Sequence, residues 1–307
     1  MDDFDYKLDS SLFPLIKKIN KPIIWTFWDM WPMCGAEHHS YDERFKIGYF
    51  KNNRPTDEKG LDVNRYVWNK KKKHLNFYFK VISLSKWFHN EIKKSSLYSN
   101  KDIYQIPLHI NCNEWKPRDK SLARENFNLP KNKKILLFGS ATATNQRKGF
   151  DFLIDVFEKN KFENTKLIIF GEKPKNIEKL NIEYKYINRV SDVQSLNLLY
   201  SAADLLLMPS LIEVFGQIGL ESIACQTPCV VFDNTGLTEF IHHKENGYVA
   251  NYKNVQDFAN GIKWCLDDDK KLLELGLNSR KIALRDFEDK VVIKKYIELY
   301  KKTISSL

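Results

Sequence analysis

The chain has 307 residues, a formal net charge of +10, and 43% hydrophobic and 29% charged residues. This balance is typical of a globular protein with one large domain or two, and it excludes wholesale disorder. No stretch of about 18 apolar residues is present to span a membrane, and the N-terminus lacks the pattern of a secretory signal. The five scattered cysteines fit a reducing cytosol.

The positive charge favours an anionic partner, which could be nucleic acid, anionic lipid or a phosphorylated ligand. An AT-rich genome would produce the same abundance of Lys, Asn and Ile, so charge alone does not choose among these partners. No RNA- or DNA-binding module motif is present, and the sequence therefore predicts no nucleic-acid partner.

Short apolar runs predict the strands of the first part of the chain, at residues 22–28, 81–84 and 103–107. Helical patterns cover residues 64–79 and begin again at residue 86. Residues 29–42 (DMWPMCGAEHHSYD) follow neither period and are predicted to form a loop. Residues 112–129 are polar and are predicted to cross between two domains.

From residue 134 onward, buried strands alternate with helices at short spacing. The predicted strands are residues 134–138, 166–170, 204–208, 229–232 and 247–249, and the predicted helices are residues 149–159, 192–203, 216–225, 236–243, 255–266 and 290–304. This alternation predicts an α/β fold with parallel strands and crossover helices. Such sheets bind ligands at the carboxyl ends of their strands.

Two glutamates stand eight positions apart where a predicted strand gives way to a helix. Glu213 lies in the loop after the strand, and Glu221 lies about a turn and a half into the helix. Between them, Phe215, Gly216 and Gln217 form the helix start, whose unpaired N–H groups and positive dipole end suit a phosphate. The alternative is structural: Glu213 caps the helix and Glu221 lies on its solvated face.

A second polar loop, Gln146 to Gly149, also joins a strand to a helix. Arg147 and Lys148 place two adjacent cations there, which could neutralise a diphosphate, or could simply be a solvated basic loop. The chain contains neither G-x-G-x-x-G nor G-x-x-x-x-G-K-[ST], so the dinucleotide fingerprint and the P-loop are both absent from the sequence.

Together these segments resemble a known family. The stretches RKGFDFLIDVF, LYSAADLLLMPS, PSLIEVFGQIGLES and TPCVVFD follow the order of the donor-binding domain of glycosyltransferase family 4, retaining enzymes of GT-B architecture. The resemblance covers roughly residues 100–305. The earlier stretches WTFWDMWPMCGAEHHSYD, GLDVNRYVWNKKKKH, SLSKWF and WKPRDKSLAREN are similar to a branch of that family associated with bacterial surface polysaccharide assembly.

The resemblance implies roles for particular residues of the donor side. Lys148, with Arg147, would clamp the donor diphosphate, Glu213 would lie beside the transferred sugar, and Glu221 would bind the nucleotide ribose. The other implied donor-binding residues are Gly139 and Ser140 on the opposite wall, Arg189 and Val190 at the nucleobase, and Phe215, Gly216 and Gln217 through their backbone N–H groups. No metal ion and no cofactor other than the donor nucleotide sugar are implied.

The implied acceptor-side residues are Trp28, Asp29, His38 and His39. Here the sequence departs from the family, which often has a histidine where Trp28 stands. Ser140 is a second departure, because the family has an arginine directly after the strand-end glycine, and Arg147 must compensate. A zinc role for His38 and His39 is disfavoured, because no matching set of ligands is evident.

The resemblance implies two Rossmann-like lobes, of which the N-terminal one is truncated. It predicts a partial acceptor-side lobe over residues 1–115, a donor-binding domain over 116–288, and a C-terminal helix over 289–307 that packs back on the N-terminal lobe. A short sheet would leave apolar surface around Trp25 and Phe27 uncovered, which predicts self-association or a partner chain.

The predicted function is transfer of a hexose from a nucleotide diphosphate sugar to a glycan or lipid-linked glycan. The alternatives are a non-catalytic sugar-nucleotide-binding subunit, which would need a partner, and a nucleotide-sugar epimerase, against which the paired glutamates argue. The predicted location is cytoplasmic, with a peripheral place at the inner face of the membrane if Lys70 to Lys73 attract anionic lipid. Those lysines otherwise form a solvated helix face.

Overall fold

The computed structural model describes residues 13–16, 18–19, 21–140 and 145–305. These residues form two units. The first unit contains the residues up to Pro107 and those from Lys295 onward, and the second unit contains Leu108–Lys294.

The first unit is built on a parallel three-stranded sheet of order β1-β2-β3. Its elements are α1 (Phe13–Ile16), β1 (Ile24–Thr26), α2 (Arg44–Ile47), α3 (Val63–His74), β2 (Lys80–Ser83), α4 (Lys86–Lys94) and β3 (Ile103–Gln105). The central strand, β2, is buried at every position. The last helix of the chain, α11 (Asp289–Ile304), brings Thr303 into this unit, where its hydroxyl accepts a hydrogen bond of 3.0 Å from Lys80.

Two predictions for the first unit need correction. The predicted helix over residues 64–79 ends at His74, and it begins after Asp62, whose side chain accepts a hydrogen bond from the N–H of Arg65. Phe27 is fully buried and packs edge-on against Tyr98, so the apolar surface around the first strand is less open than predicted.

In the described part of the chain, no helix is long and apolar enough to cross a membrane.

The second unit contains a parallel six-stranded sheet of order β6-β5-β4-β7-β8-β9. Its elements, besides the start of α11, are α5 (Lys120–Asn126), β4 (Lys134–Ser140), α6 (Phe150–Lys159), β5 (Thr165–Gly171), β6 (Tyr184–Ile187), α7 (Val193–Ala202), β7 (Leu205–Met208), α8 (Gln217–Ala224), β8 (Cys229–Phe232), β9 (Gly247–Ala250), α9 (Val255–Leu266) and α10 (Asp269–Ile282). The strands are continuous apolar runs because helices cover both faces of a parallel sheet.

The strands of this sheet are added first on one side of β4 and then on the other, so that the order of addition reverses between β4 and β7. From β4 the chain proceeds outward to β5 and β6, then returns to β7 on the other side of β4 and continues to β8 and β9. Such a switch leaves a crevice at the carboxyl ends of the two central strands, because the crossovers on either side depart in opposite directions. The fold therefore puts the loops after β4 and β7 next to each other.

Residues 108–115, which were predicted to belong to the first lobe, form part of the second unit. The guanidinium of Arg280 on α10 donates hydrogen bonds to the backbone oxygens of Cys112 (2.8 Å) and Trp115 (2.6 Å) and fixes this segment. The backbone N–H of Ile110 also donates to the oxygen of Phe287 at 2.9 Å. The segment is held by these contacts rather than by any pattern visible in its own sequence.

Candidate active site

A pocket of about 190 Å³ lies at the switch point of the second sheet. Its lining comes from the carboxyl ends of β4 and β7, the loops after them, and the first turn of α8: Phe138, Gly139, Lys148, Leu207, Met208, Ser210, Glu213, Gly216, Gln217 and Ile218. Pockets for drug-sized ligands are typically larger, about 300–1,000 Å³. This pocket therefore matches one part of a ligand of nucleotide size.

Two cationic side chains and one carboxylate lie together near the N-terminus of α8. The ammonium group of Lys148 lies 2.6 Å from Glu213 Oε2, and a guanidinium nitrogen of Arg147 lies 3.4 Å from the same oxygen. All three side chains are largely buried, and the cluster carries a net charge of +1. Burial lowers the pKa of Lys148, and the Glu213 carboxylate opposes this effect. A buried excess of positive charge favours an anionic ligand.

Arg147 has unused hydrogen-bonding capacity at this place. Its buried Nε has no hydrogen-bond partner among residues 13–16, 18–19, 21–140 and 145–305. Buried polar groups are nearly always hydrogen-bonded, so a donor that lacks a partner among these residues points to one supplied by a ligand. A phosphate group would provide such an acceptor.

Two glycines allow the loops of the pocket to approach each other. Gly149 has a φ of 72°, and a Cβ added there would meet the backbone oxygen of Pro209 at 1.9 Å. Gly216, the N-cap of α8, has a φ of 97°. Both conformations belong to the left-handed region that favours glycine. In addition, the N–H of Leu211 donates to the oxygen of Arg147 at 2.7 Å, which joins the two loops directly.

Glu221 lies one turn into α8, only 6% of it is exposed, and it is not among the residues that line the pocket, although its partner Gln217 is. Its carboxylate accepts hydrogen bonds from the Tyr200 hydroxyl (2.8 Å) and from Gln217 Nε2 (2.9 Å). Burial raises the pKa of Glu221 to about 7, although both hydrogen bonds act in the opposite direction. The structural alternative is therefore wrong for Glu221, which is not on a solvated face. The N-cap of α8 is Gly216, and the carboxylate of Glu213 contacts the two cations.

The other predicted donor-binding residues take different positions. Phe215 is buried against Phe240 and Phe287, so only its backbone can face a ligand. Ser140 is buried at the end of β4. Arg189 and Val190 follow β6, two strands away from β4, and are not among the residues that line the pocket.

The predicted acceptor-side residues lie in the first unit, around the loop of residues 29–39. Trp28 is 66% exposed. His38 Nδ1 lies 2.6 Å from Asp29 Oδ2, and the backbone N–H of Met30 donates to the oxygen of His38, which closes the loop. His39 is half-buried. The structure thus brings Asp29 and His38 together beside an exposed tryptophan.

Lys71 holds this loop in place through hydrogen bonds, and the sequence interpretation missed this role. It was expected on a solvated helix face, but it is fully buried, and its ammonium group donates to the backbone oxygens of Trp31, Cys34 and Gly35. Burial lowers its pKa to about 7. No local signal separates Lys71 from its neighbours, because its partners lie far away in the sequence.

Within the ranges that the structure describes, no group of three or more His, Cys, Asp or Glu side chains is placed to hold a metal ion. All five cysteines are free thiols in buried positions.

Residues 119–282 match the family described as glycosyl transferases group 1. A curated relative from Bacillus anthracis, N-acetyl-alpha-D-glucosaminyl L-malate synthase, is 24% identical over 210 residues, which are 66% of this chain and 54% of the relative. The chain spans about half the length of the curated relatives that it matches first.

Solved structures with a similar fold include two bacterial proteins. Anabaena Alr3699/HepE, solved in complex with UDP-glucose, has a TM-score of 0.72 at 20% identity, covering 97% of this chain and 76% of that protein. WaaG, a glycosyltransferase involved in lipopolysaccharide biosynthesis, has a TM-score of 0.68 at 19% identity, covering 90% and 75%. The α/β fold is therefore GT-B-like, as the sequence predicts.

Proposed function

Because the chain belongs to the glycosyl transferases group 1 family, we propose that it transfers a hexose from a nucleotide diphosphate sugar to a glycan or lipid-linked glycan, with retention of the anomeric configuration. The observation that carries this proposal is the cluster of Arg147, Lys148 and Glu213 in a pocket at the switch point. The cluster combines an unbalanced positive charge, a guanidinium nitrogen that has no partner among the described residues, and a helix N-terminus, which together suit a diphosphate.

The proposed chemistry requires stabilisation of a departing nucleotide diphosphate. The bond between the anomeric carbon and the phosphate oxygen breaks, and the acceptor oxygen bonds to the same face of that carbon. The acceptor proton passes to the phosphate oxygen that leaves. Lys148 and Arg147 would stabilise the charge that develops on the diphosphate, so no metal ion is assigned an obligatory role. Glu213 would face the positive charge that develops on the sugar ring.

Support for the finer parts of the proposal comes from the relatives and from the first unit. UDP-glucose is the ligand of the similar Anabaena protein, which makes a UDP-sugar the first donor to test. The link of WaaG to lipopolysaccharide supports a role in bacterial surface polysaccharide assembly. Trp28 and the Asp29–His38 pair offer an aromatic face and hydrogen-bonding groups, which is the chemistry that binds sugars, and we assign them to the acceptor.

Isothermal titration with a panel of UDP-, GDP- and ADP-sugars tests the proposal. We expect one of them to bind and Lys148→Ala to weaken its binding about 10- to 100-fold, the range for a charged hydrogen bond. Binding of the bare nucleoside should barely change. The matched control is Lys161→Ala, which removes an exposed lysine of the same unit.

Two outcomes would contradict parts of the proposal. Equal weakening of nucleotide sugar and nucleoside by Lys148→Ala would show damage to the fold rather than loss of a diphosphate contact. Binding of the donor without transfer to any glycan acceptor would favour a non-catalytic sugar-nucleotide-binding subunit. Where transfer occurs, the proton NMR spectrum of the first product formed gives its anomeric configuration, and inversion would refute the retaining mechanism.

A further inference from the structure

Glu221 is a buried carboxylate whose partners carry no charge. Its only hydrogen-bond partners within the described residues are the Tyr200 hydroxyl and the Gln217 amide. Buried carboxylates are normally paired with a cation or a metal, because an isolated buried charge is unfavourable. Two neutral donors stabilise the ionised form only in part, which fits the raised pKa of this group.

Neighbouring charged and titratable groups do not compensate Glu221. On α10, the Arg280 guanidinium donates to three backbone oxygens, including that of Ala224 at the end of α8. Arg118 donates through Nε to Asn197 Oδ1 on α7. The thiols of Cys225 and Cys229 on the following turn and strand are buried, which raises their pKa values and keeps them neutral.

Tyr200 is held rigidly in place on α7. It is fully buried, its ring packs against Trp115 (centroids 5.9 Å apart) and Phe170 (6.1 Å, nearly perpendicular), and its hydroxyl donates to Glu221 Oε2. Burial and the nearby Glu221 carboxylate raise the pKa of Tyr200, so the hydroxyl keeps its proton and remains a donor. A ring packed in this way fixes both the position and the direction of that hydrogen bond.

The Glu221 carboxylate retains capacity for further hydrogen bonds. A carboxylate has about four acceptor positions, and Tyr200 and Gln217 occupy one on each oxygen. The two that remain match the two hydroxyls of a ribose. A deoxyribose would leave one of them without a donor, and an unsatisfied buried group weakens binding.

We propose that Tyr200 is a positioning residue that keeps Glu221 ionised and directed at the two ribose hydroxyls of the nucleotide. This inference rests on the proposed function. It assigns to Tyr200 no contact with the substrate. Its consequence is that the preference for ribose over deoxyribose depends on pH: the preference falls as Glu221 takes up a proton, and it falls at a higher pH when the Tyr200 hydroxyl is removed.

The test uses Tyr200→Phe, which removes one oxygen and keeps the ring. Binding of UDP, of 2′-deoxy-UDP and of inorganic pyrophosphate is measured by titration calorimetry from pH 6 to pH 9, with ADP and GDP pairs if UDP does not bind. The matched control is Tyr248→Phe, because the Tyr248 hydroxyl also donates to a carboxylate, Asp257 Oδ1, at 2.8 Å, and Tyr248 does not line the pocket.

The ribose preference is the ratio of the affinities for UDP and 2′-deoxy-UDP, and its pH dependence has a midpoint. We expect Tyr200→Phe to raise this midpoint by about one pH unit, which corresponds to the loss of one hydrogen bond to a charged group. At pH 7 the ribose preference should fall about fivefold, and raising the pH to 9 should restore most of it. Binding of pyrophosphate should stay within about twofold, because the cation cluster is untouched. Tyr248→Phe should leave the whole pH profile unchanged.

If the midpoint of the ribose preference does not shift in Tyr200→Phe, the inference is wrong and Tyr200 serves only in packing. The proposed function would still stand as long as Lys148→Ala weakens donor binding. Equal loss of UDP, 2′-deoxy-UDP and pyrophosphate binding would also overturn it. If the variant does not fold, Gln217→Met removes the other donor and should raise the same midpoint. Failure of the wild-type chain to bind any nucleotide would refute the proposed function itself.

Discussion

Replacing Glu221 with Gln should make the stability of the free protein less dependent on pH. Burial raises the pKa of Glu221 from 4.5 to about 7. An acid with a raised pKa in the folded state holds its proton more tightly there than in the unfolded chain. Its contribution to stability is therefore fully present below pH 4.5 and is lost as the pH rises to about 7.

The size of this effect follows from the shift. Each pKa unit corresponds to about 1.4 kcal/mol, and the part of the rise that titrates between pH 5 and pH 8 predicts a loss of about 2.5 kcal/mol in the free energy of unfolding over that range. The amide of Gln cannot ionise and does not contribute this loss. The difference in stability between Glu221→Gln and the wild type should accordingly grow by about 2.5 kcal/mol in favour of the variant over that range.

Urea unfolding of both proteins at pH 5, 6, 7 and 8 measures this difference. All other titrating groups are shared by the two proteins and cancel, and any constant effect of the amide shifts the curve without changing its slope. Glu158→Gln, at an exposed position on α6, is the control and should show no growth with pH. A difference for Glu221→Gln that stays flat across the range would refute the conclusion that its carboxylate is buried without a compensating charge.

Two further changes test other parts of the structure. Glu213→Gln removes the carboxylate that neutralises the cation cluster, so pyrophosphate should bind about tenfold more tightly by calorimetry while sugar transfer falls; weaker pyrophosphate binding would contradict the net charge assigned to the cluster. Lys71→Met leaves three backbone oxygens without this donor and should lower the free energy of unfolding by about 3 kcal/mol or more, whereas the exposed Lys72→Met should stay within about 0.5 kcal/mol.

Much of the second sheet could be predicted because its signals are local. The strand Cys229–Phe232 and the helix Val255–Leu266 match their predicted bounds, since an apolar run or an amphipathic period there is closed by clear turn residues. β6 was missed because Tyr184–Ile187 is an edge strand without an apolar run. The helix Asp269–Ile282 was missed because its sequence is polar apart from one narrow face.

The candidate site divides in the same way. Adjacency of Lys148 and Glu213 follows from a parallel sheet, because the loops after neighbouring strands share one edge. The ion pair between them could not be predicted, since it depends on the direction in which two loops leave that edge. The role of Tyr200 could not be predicted either. Tyr200 lies on α7 and its partner Glu221 lies on α8, and the sequence around Tyr200 gives no sign of this contact.

The free protein is left with two electrostatic imbalances, one before the start of α8 and one a turn into that helix. At the helix start, the cluster of Arg147, Lys148 and Glu213 has one positive charge in excess, and at Glu221 a buried carboxylate has acceptor positions to spare. Glu221 lies one helical turn, about 5.4 Å of rise, beyond the first residue of α8, and we expect a single ligand to meet both places. The ligand must then carry an anion at one end and a pair of hydroxyl donors nearby. A nucleoside diphosphate has both, and neither a simple phosphate nor a bare sugar would relieve the two imbalances together.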